Sequence, residues 1–280
     1  MPNALRRWRG RVIRDRFVTV DGHRLRVVSE LDRPGVPLVI FNGIGASAGL
    51  LHPLVESLGV PVITFDLPGV GGSSVSFLPR RMFQLARLAR RLLTELDVER
   101  CHVMGISWGG GLAQQFAWQY PEATGRLVLA ATSPGALMVP PHPRVILRMA
   151  TPLRYLAAGY FRNIAGELYG GDFRHDEVLR ERHARRMTPP SVVGYLNQLY
   201  ALSGWTSLPW LHRVRAPTLI MAGEDDPIIP LANARLLARR LPDAELSVFD
   251  CGHLFVLTRL PRVCREIEAF LGADAGISAA

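Results

Sequence analysis

The chain has 280 residues, 48% of them apolar, a formal charge of +9 and three cysteines. That length allows one large domain with an insertion. No apolar run reaches the roughly 18 to 20 residues of a membrane-spanning helix, and Cys101, Cys251 and Cys264 form neither a disulfide framework nor a metal-ligand spacing. All 33 basic residues are arginines spread along the chain, with no basic tail and no nucleic-acid motif. The charge therefore reads as solvated surface and no nucleic-acid partner is expected; a face that meets an anionic particle is the alternative. The basic first 17 residues lack the apolar stretch of a signal peptide, so a reducing cytoplasm is the expected compartment.

Residues 17–20 and 25–28 flank Asp21-Gly22-His23-Arg24, a strand–turn–strand signal. Short apolar runs at 38–41, 62–65, 101–106, 127–131, 218–221 and 246–249 read as buried strands. Helix-length segments at 50–58, 82–96, 110–120, 232–241 and 261–271 alternate with them. In the second of these, the spacing puts Phe83, Leu85, Leu88, Leu92 and Leu96 near one face. Strands alternating with helices predict an α/β fold whose mostly parallel central sheet is flanked by helices on both faces. The rhythm breaks between 133 and 211, where Pro140, Pro141, Pro143, Pro189 and Pro190 cluster and helical periodicity runs without strand signals. The expected organisation is a core built from 1–134 and 211–280 with a helical cap, or lid, inserted at 135–210. The small-residue end, 272–280, is expected to fray.

Gly105-Ile106-Ser107-Trp108-Gly109 follows a strand signal and opens a helix signal, the context of a nucleophile elbow. A serine in a strained strand-to-helix turn needs small neighbours, and the helix N-terminus favours developing negative charge. A hydroxyl is a weak nucleophile until a base takes its proton. Of eight histidines, His253 stands directly after the last predicted strand, where open α/β sheets gather their reactive groups. His52 and His142 are placed as further candidates to line the site; His23, His102, His175, His183 and His212 read as surface or core. The acid that orients the imidazole comes from Gly223-Glu224-Asp225-Asp226-Pro227. Asp226, immediately before proline, is preferred, with Asp225 as the alternative and Glu224 behind both. The oxyanion needs two donors: the N–H of Trp108 and, from Asn42-Gly43-Ile44-Gly45, the N–H of Ile44. The glycine-rich stretch from Asp66 to Ser73 lacks the Lys-Ser/Thr ending of a phosphate loop and reads as a tight loop beside the site. Asn42, Leu137, Met138 and Trp205 are expected at the substrate. No metal or cofactor is called for.

With these residues in place, the chain resembles the intracellular medium-chain-length polyhydroxyalkanoate depolymerases, capped members of the α/β-hydrolase superfamily. The resemblance rests on Phe41-Asn42-Gly43-Ile44-Gly45-Ala46, Asp66-Leu67-Pro68-Gly69-Val70-Gly71-Gly72-Ser73 and Gly105-Ile106-Ser107-Trp108-Gly109-Gly110. Tyr169-Gly170-Gly171, Gly204-Trp205-Thr206-Ser207, Asp226-Pro227-Ile228-Ile229-Pro230 and Gly252-His253-Leu254-Phe255 extend it across most of the chain. Asn-Gly-Ile-Gly and Gly-Trp-Thr-Ser are its narrower signals. It implies Ser107, Asp226 and His253 as nucleophile, acid and base. It also implies an insoluble polyester of 3-hydroxy fatty acids as substrate and a storage-granule surface as partner. Cys251 departs from it, standing where an acidic residue is expected. The rival enzymatic readings are a carboxylesterase and a carbon–carbon bond hydrolase on small apolar substrates; a binding protein with a vestigial site is the reading from another class.

Overall fold

The computed structural model of the chain describes residues 4–8 and 11–272. Among the described residues, nine strands lie in one sheet. They are β1 (Ala4–Trp8), β2 (Arg11–Val20), β3 (His23–Glu30), β4 (Leu38–Phe41) and β5 (Val62–Phe65), then β6 (Cys101–Ile106), β7 (Thr124–Ala130), β8 (Thr218–Gly223) and β9 (Ala244–Phe249). Their order is β1-β2-β3-β5-β4-β6-β7-β8-β9. From β5 to β9 all pairings are parallel, while β1, β2 and β3 are antiparallel. The β2–β3 turn is Asp21-Gly22, both at positive φ, as a two-residue hairpin turn requires. β1 lies where neither alternation nor any motif announced a strand.

The parallel strands from β4 to β8 are largely buried on both faces, while the edge strand β9 is half-buried, so side-chain alternation divides the core in two. In β4, Val39 and Phe41 join one cluster and Leu38 and Ile40 the other. The helices supply the covers. They are α1 (His52–Ser57), α2 (Met82–Thr94), α3 (Trp108–Gln119), α4 (Pro143–Met149), α5 (Leu153–Leu156), α6 (Ala158–Tyr169), α7 (Glu177–Arg186), α8 (Val192–Leu202), α9 (Leu231–Arg240), α10 (Phe255–Thr258) and α11 (Leu260–Gly272). α2, α3 and α9 cover the first cluster, and α1 and α11 the second. Each Leu, Ile or Val so enclosed contributes about 1.5–3 kcal/mol. On α2 the inward face holds Leu85, Leu88 and Leu92, but Phe83 is 47% exposed and Met82 is buried in its place. Phe83 precedes Leu85 by two residues, about 200° around a helix, so it falls outside the stripe.

Among the described residues, α4 to α8 and no strand occupy the stretch between β7 and β8. Its two ends are stitched together: Ala136 N–H donates to Trp205 O (2.7 Å) and Ser207 N–H to Pro134 O (2.9 Å). A third apolar cluster, around Phe161, Leu168 and Phe173, forms within it. Among the described residues no helix is long and apolar enough to cross a membrane.

Candidate active site

β6 ends at Ile106 and α3 begins at Trp108, so Ser107 alone turns the chain, at φ 54° and ψ −120°. Such a conformation costs a non-glycine residue on the order of 1–3 kcal/mol. Three hydrogen bonds hold it: Ser107 N–H to Ala130 O (2.8 Å), Gly110 N–H to Ser107 O (2.9 Å), and Thr132 Oγ1–H to Ser107 O (2.7 Å). The flanking glycines are steric necessities. A Cβ on Gly105 would lie 2.4 Å from Gly109 O, and one on Gly109 would lie 2.2 Å from Phe41 O. Gly109→Ala is therefore expected to lower stability by about 3 kcal/mol or to prevent folding, because backbone atoms give way least. The urea midpoint measures it, and an unchanged midpoint would contradict this packing.

The loop after β9 carries His253 to the serine. His253 Nε2 lies 3.0 Å from Ser107 Oγ, and His253 Nδ1 lies 2.7 Å from Asp226 Oδ2, with both His253 and Asp226 buried. Asp226 Oδ1 accepts the N–H groups of Ile228 and Ile229, each at 2.9 Å, which fixes the carboxylate's orientation. Asp225 is turned away. Its carboxylate pairs with Arg174 at 2.7 Å and accepts the Gly171 N–H at 2.7 Å, and these partners hold it below the usual carboxylate range. Of the two aspartates, Asp226 is the one that meets His253. The histidine loop is clamped from above: His253 N–H donates to Tyr169 O (2.7 Å), and the Tyr169 ring stacks on the imidazole at 6.2 Å.

The loop after β4 brings Gly43 and Ile44 beside the serine; a Cβ on Gly43 would lie 3.7 Å from Ser107 Cβ. The N–H groups either side of Ile44 are engaged, Gly43 on Asn42 Oδ1 (2.8 Å) and Gly45 on Gln198 Oε1 (2.7 Å). Among the described residues the Ile44 N–H meets no acceptor. Trp108 is the first residue of α3, so its N–H lacks a partner within the helix. Asn42 uses its amide at both ends to shape this loop, donating to Ser47 O (2.9 Å) as well as accepting from Gly43. Asp66, the anchor of the neighbouring glycine-rich loop, accepts the Ala48 and Gly72 N–H groups, and burial raises its pKa.

Two cavities meet at Ser107. The larger, about 490 Å³, is lined mostly by apolar groups, among them Met138, Pro140, Ile146, Leu199 and Leu202. The smaller, about 60 Å³, is lined by Asn42, Arg154, Tyr155, Tyr169, His183 and His253. Ile44, Met149 and Ile228 border both. Of the residues expected at the substrate, Met138 reaches the large cavity. Leu137 is 61% exposed and lines neither cavity; it sits in an exposed stretch with Ala136 and Val139, in which only Met138 is half-buried. Trp205 is not in the wall either; its ring packs behind it against Gly111 and Gly135, with Nε1–H on Gln115 Oε1 (2.8 Å). His142 accepts the Arg144 N–H at the start of α4 (3.3 Å), and neither it nor His52 borders the cavities. His183, read as a surface or core residue, lies in the small cavity's wall, where burial pushes its pKa down to about 4 and keeps the ring neutral at pH 7. Arg154 and Tyr155 carried no motif at all; an arginine inside Leu153-Arg154-Tyr155-Leu156 was the one hint of a buried cation.

The fold is that of the α/β hydrolases. The family model described as alpha/beta hydrolase fold matches residues 36–260, and the chain belongs to that family. It is 48% identical over 259 residues to the poly(3-hydroxyalkanoate) depolymerase of Ectopseudomonas oleovorans, covering 91% of this chain and 92% of that protein, which bears out the resemblance seen in the motifs. It is also 32% identical over 235 residues to a 2-hydroxy-6-oxo-6-phenylhexa-2,4-dienoate hydrolase of Comamonas testosteroni, covering 78% of this chain and 82% of that one. Among solved structures, the enol-lactonase of Burkholderia xenovorans LB400 matches with a TM-score of 0.79 over 91% of this chain and 99% of that one; at 19% identity this is a likeness of fold.

Proposed function

We propose that the protein hydrolyses ester bonds of medium-chain-length poly(3-hydroxyalkanoate) through an acyl-enzyme on Ser107. The reading is carried by one observation: the Ser107–His253–Asp226 chain of contacts, at 3.0 and 2.7 Å, opens into an apolar cavity of about 490 Å³. Ser107 Oγ attacks the ester carbonyl while His253 Nε2 takes its proton and Asp226 holds the imidazolium through Nδ1–H. The N–H groups of Ile44 and Trp108 receive the oxyanion. His253 then protonates the leaving alcohol, and water, activated by the same imidazole, releases the hydroxy acid. Residues 135–210 serve as the lid over this chemistry, and the cytoplasmic granules that store such polyesters are where it works.

The large cavity makes the acyl chain the source of selectivity. Each methylene buried there is worth about 0.8 kcal/mol, or roughly fourfold. On p-nitrophenyl esters, kcat/KM is expected to climb by about that factor per carbon from butyrate toward octanoate. A flat or falling series sinks the medium-chain reading. The 32% identity to the 2-hydroxy-6-oxo-6-phenylhexa-2,4-dienoate hydrolase supports a second reading, carbon–carbon bond hydrolysis by this chain, for which a vinylogous 1,5-diketone replaces the ester in the same assay.

A further inference from the structure

Arg154 is 2% exposed, the largest fully buried side chain of the molecule's described residues, and it forms no salt bridge among them. Its partners are neutral oxygens. Nη1 donates to Tyr195 Oη (2.7 Å) and Nη2 makes a long contact to Ile44 O (3.4 Å), while the guanidinium lies 4.6 Å from the Tyr155 ring centre and 5.3 Å from that of Tyr195. Nε–H meets no acceptor. An arginine stays protonated at any pH of interest, and a buried cation without an anion is costly unless something supplies the charge. The other titratable groups facing it do not. Burial raises the pKa of the Tyr195 and Tyr169 phenols and lowers that of His183, so all three are neutral at pH 7.

Arg154 borders the small cavity, and so do Ser107 and His253. We infer that Arg154 is a carboxylate-recognition site for the substrate, taking the free carboxyl end of a 3-hydroxyacid chain on the leaving-alcohol side of the scissile ester. The division of space at the serine supports that assignment. The apolar cavity, with its methionines and leucines, suits an acyl side chain, and the small polar one suits a charged end group. Guanidinium forms paired, charge-assisted hydrogen bonds to a carboxylate, and the unpartnered Nε–H is one of the donors such a pair needs. Hydrolysis with the carboxylate so held forms a bond from water oxygen to the acyl carbon, breaks the ester C–O bond and releases the terminal unit as a 3-hydroxy carboxylate. The enzyme therefore works from the carboxyl end of chains and favours short oligomers that present one.

This inference rests on the ester-hydrolase reading of Ser107, and the test separates the two. The substrates are the linear dimeric ester of 3-hydroxyoctanoate with a free carboxylate and its methyl ester. Wild-type kcat/KM is expected to favour the free acid by about tenfold to a hundredfold, the discrimination a paired buried charge gives. In Arg154→Gln the ratio of the two substrates is expected to collapse toward one. Because both share the chemistry at Ser107, any disturbance of Ile44 through the lost contact cancels in that ratio. A wild type that prefers the methyl ester, or a variant that keeps the ratio while slowing both, overturns the inference. If the variant does not fold, the wild-type ratio still decides. Failure of wild type on both dimers and on p-nitrophenyl octanoate instead condemns the reading of Ser107.

Discussion

Ser107→Ala is expected to lower kcat on p-nitrophenyl octanoate by about 10⁵–10⁶, the loss seen when the nucleophile of such an assembly is deleted. Among the described residues the hydroxyl contacts His253 Nε2 alone, so its removal takes the attacking atom and little else. The backbone of the elbow is untouched: the bonds to Ala130, Gly110 and Thr132 all run through main-chain atoms of residue 107. Alanine bears the same strain as serine at φ 54°, and one lost hydrogen bond costs about 1 kcal/mol. The variant should therefore fold with a thermal midpoint only slightly below the parent's while losing both turnover and labelling by a fluorophosphonate. A folded variant within tenfold of the parent would end the proposal that Ser107 is the nucleophile.

Asp226→Asn is expected to cost about 10⁴ in kcat through the wrong histidine tautomer. Oδ1 of Asp226 accepts two backbone N–H groups, from Ile228 and Ile229. An asparagine must present its carbonyl to those donors, which leaves its NH₂ facing His253 Nδ1. That nitrogen then has to accept, the ring proton moves to Nε2, and Nε2–H can no longer take a proton from Ser107. The neighbouring Asp225→Asn is the control. It breaks an exposed pair with Arg174, worth no more than about 1 kcal/mol in water, and leaves the tautomer alone. Because Asp225 is held below its usual pKa, its small contribution is present above the unfolded-state carboxylate pKa and is lost as pH falls through the depressed value. Comparable kcat losses in the two variants would contradict the assignment of Asp226.

The sequence by itself determined what depends on neighbours along the chain. Apolar runs such as 38–41 and 101–106 made the strands, and the 3.6-residue stripe of Leu85, Leu88 and Leu92 made α2, because burial of one face or both is written in local periodicity. The elbow was equally legible, since its glycines answer clashes with atoms a few residues away, and the chain order of serine, aspartate and histidine followed from strand order. What only the tertiary structure decided involves partners with no sequence relation. Asp225 and Asp226 are adjacent and chemically alike, and they were separated by Gly171 and Arg174, more than fifty residues upstream. Ile44 is held by Arg154 and Tyr155, at separations of 110 and 111 residues. Neither periodicity nor a motif marks which one of 33 arginines is enclosed beside the serine. Burial and a missing counter-ion are properties of the packed chain, and they exist only once the helices between β7 and β8 have closed over the loop after β4.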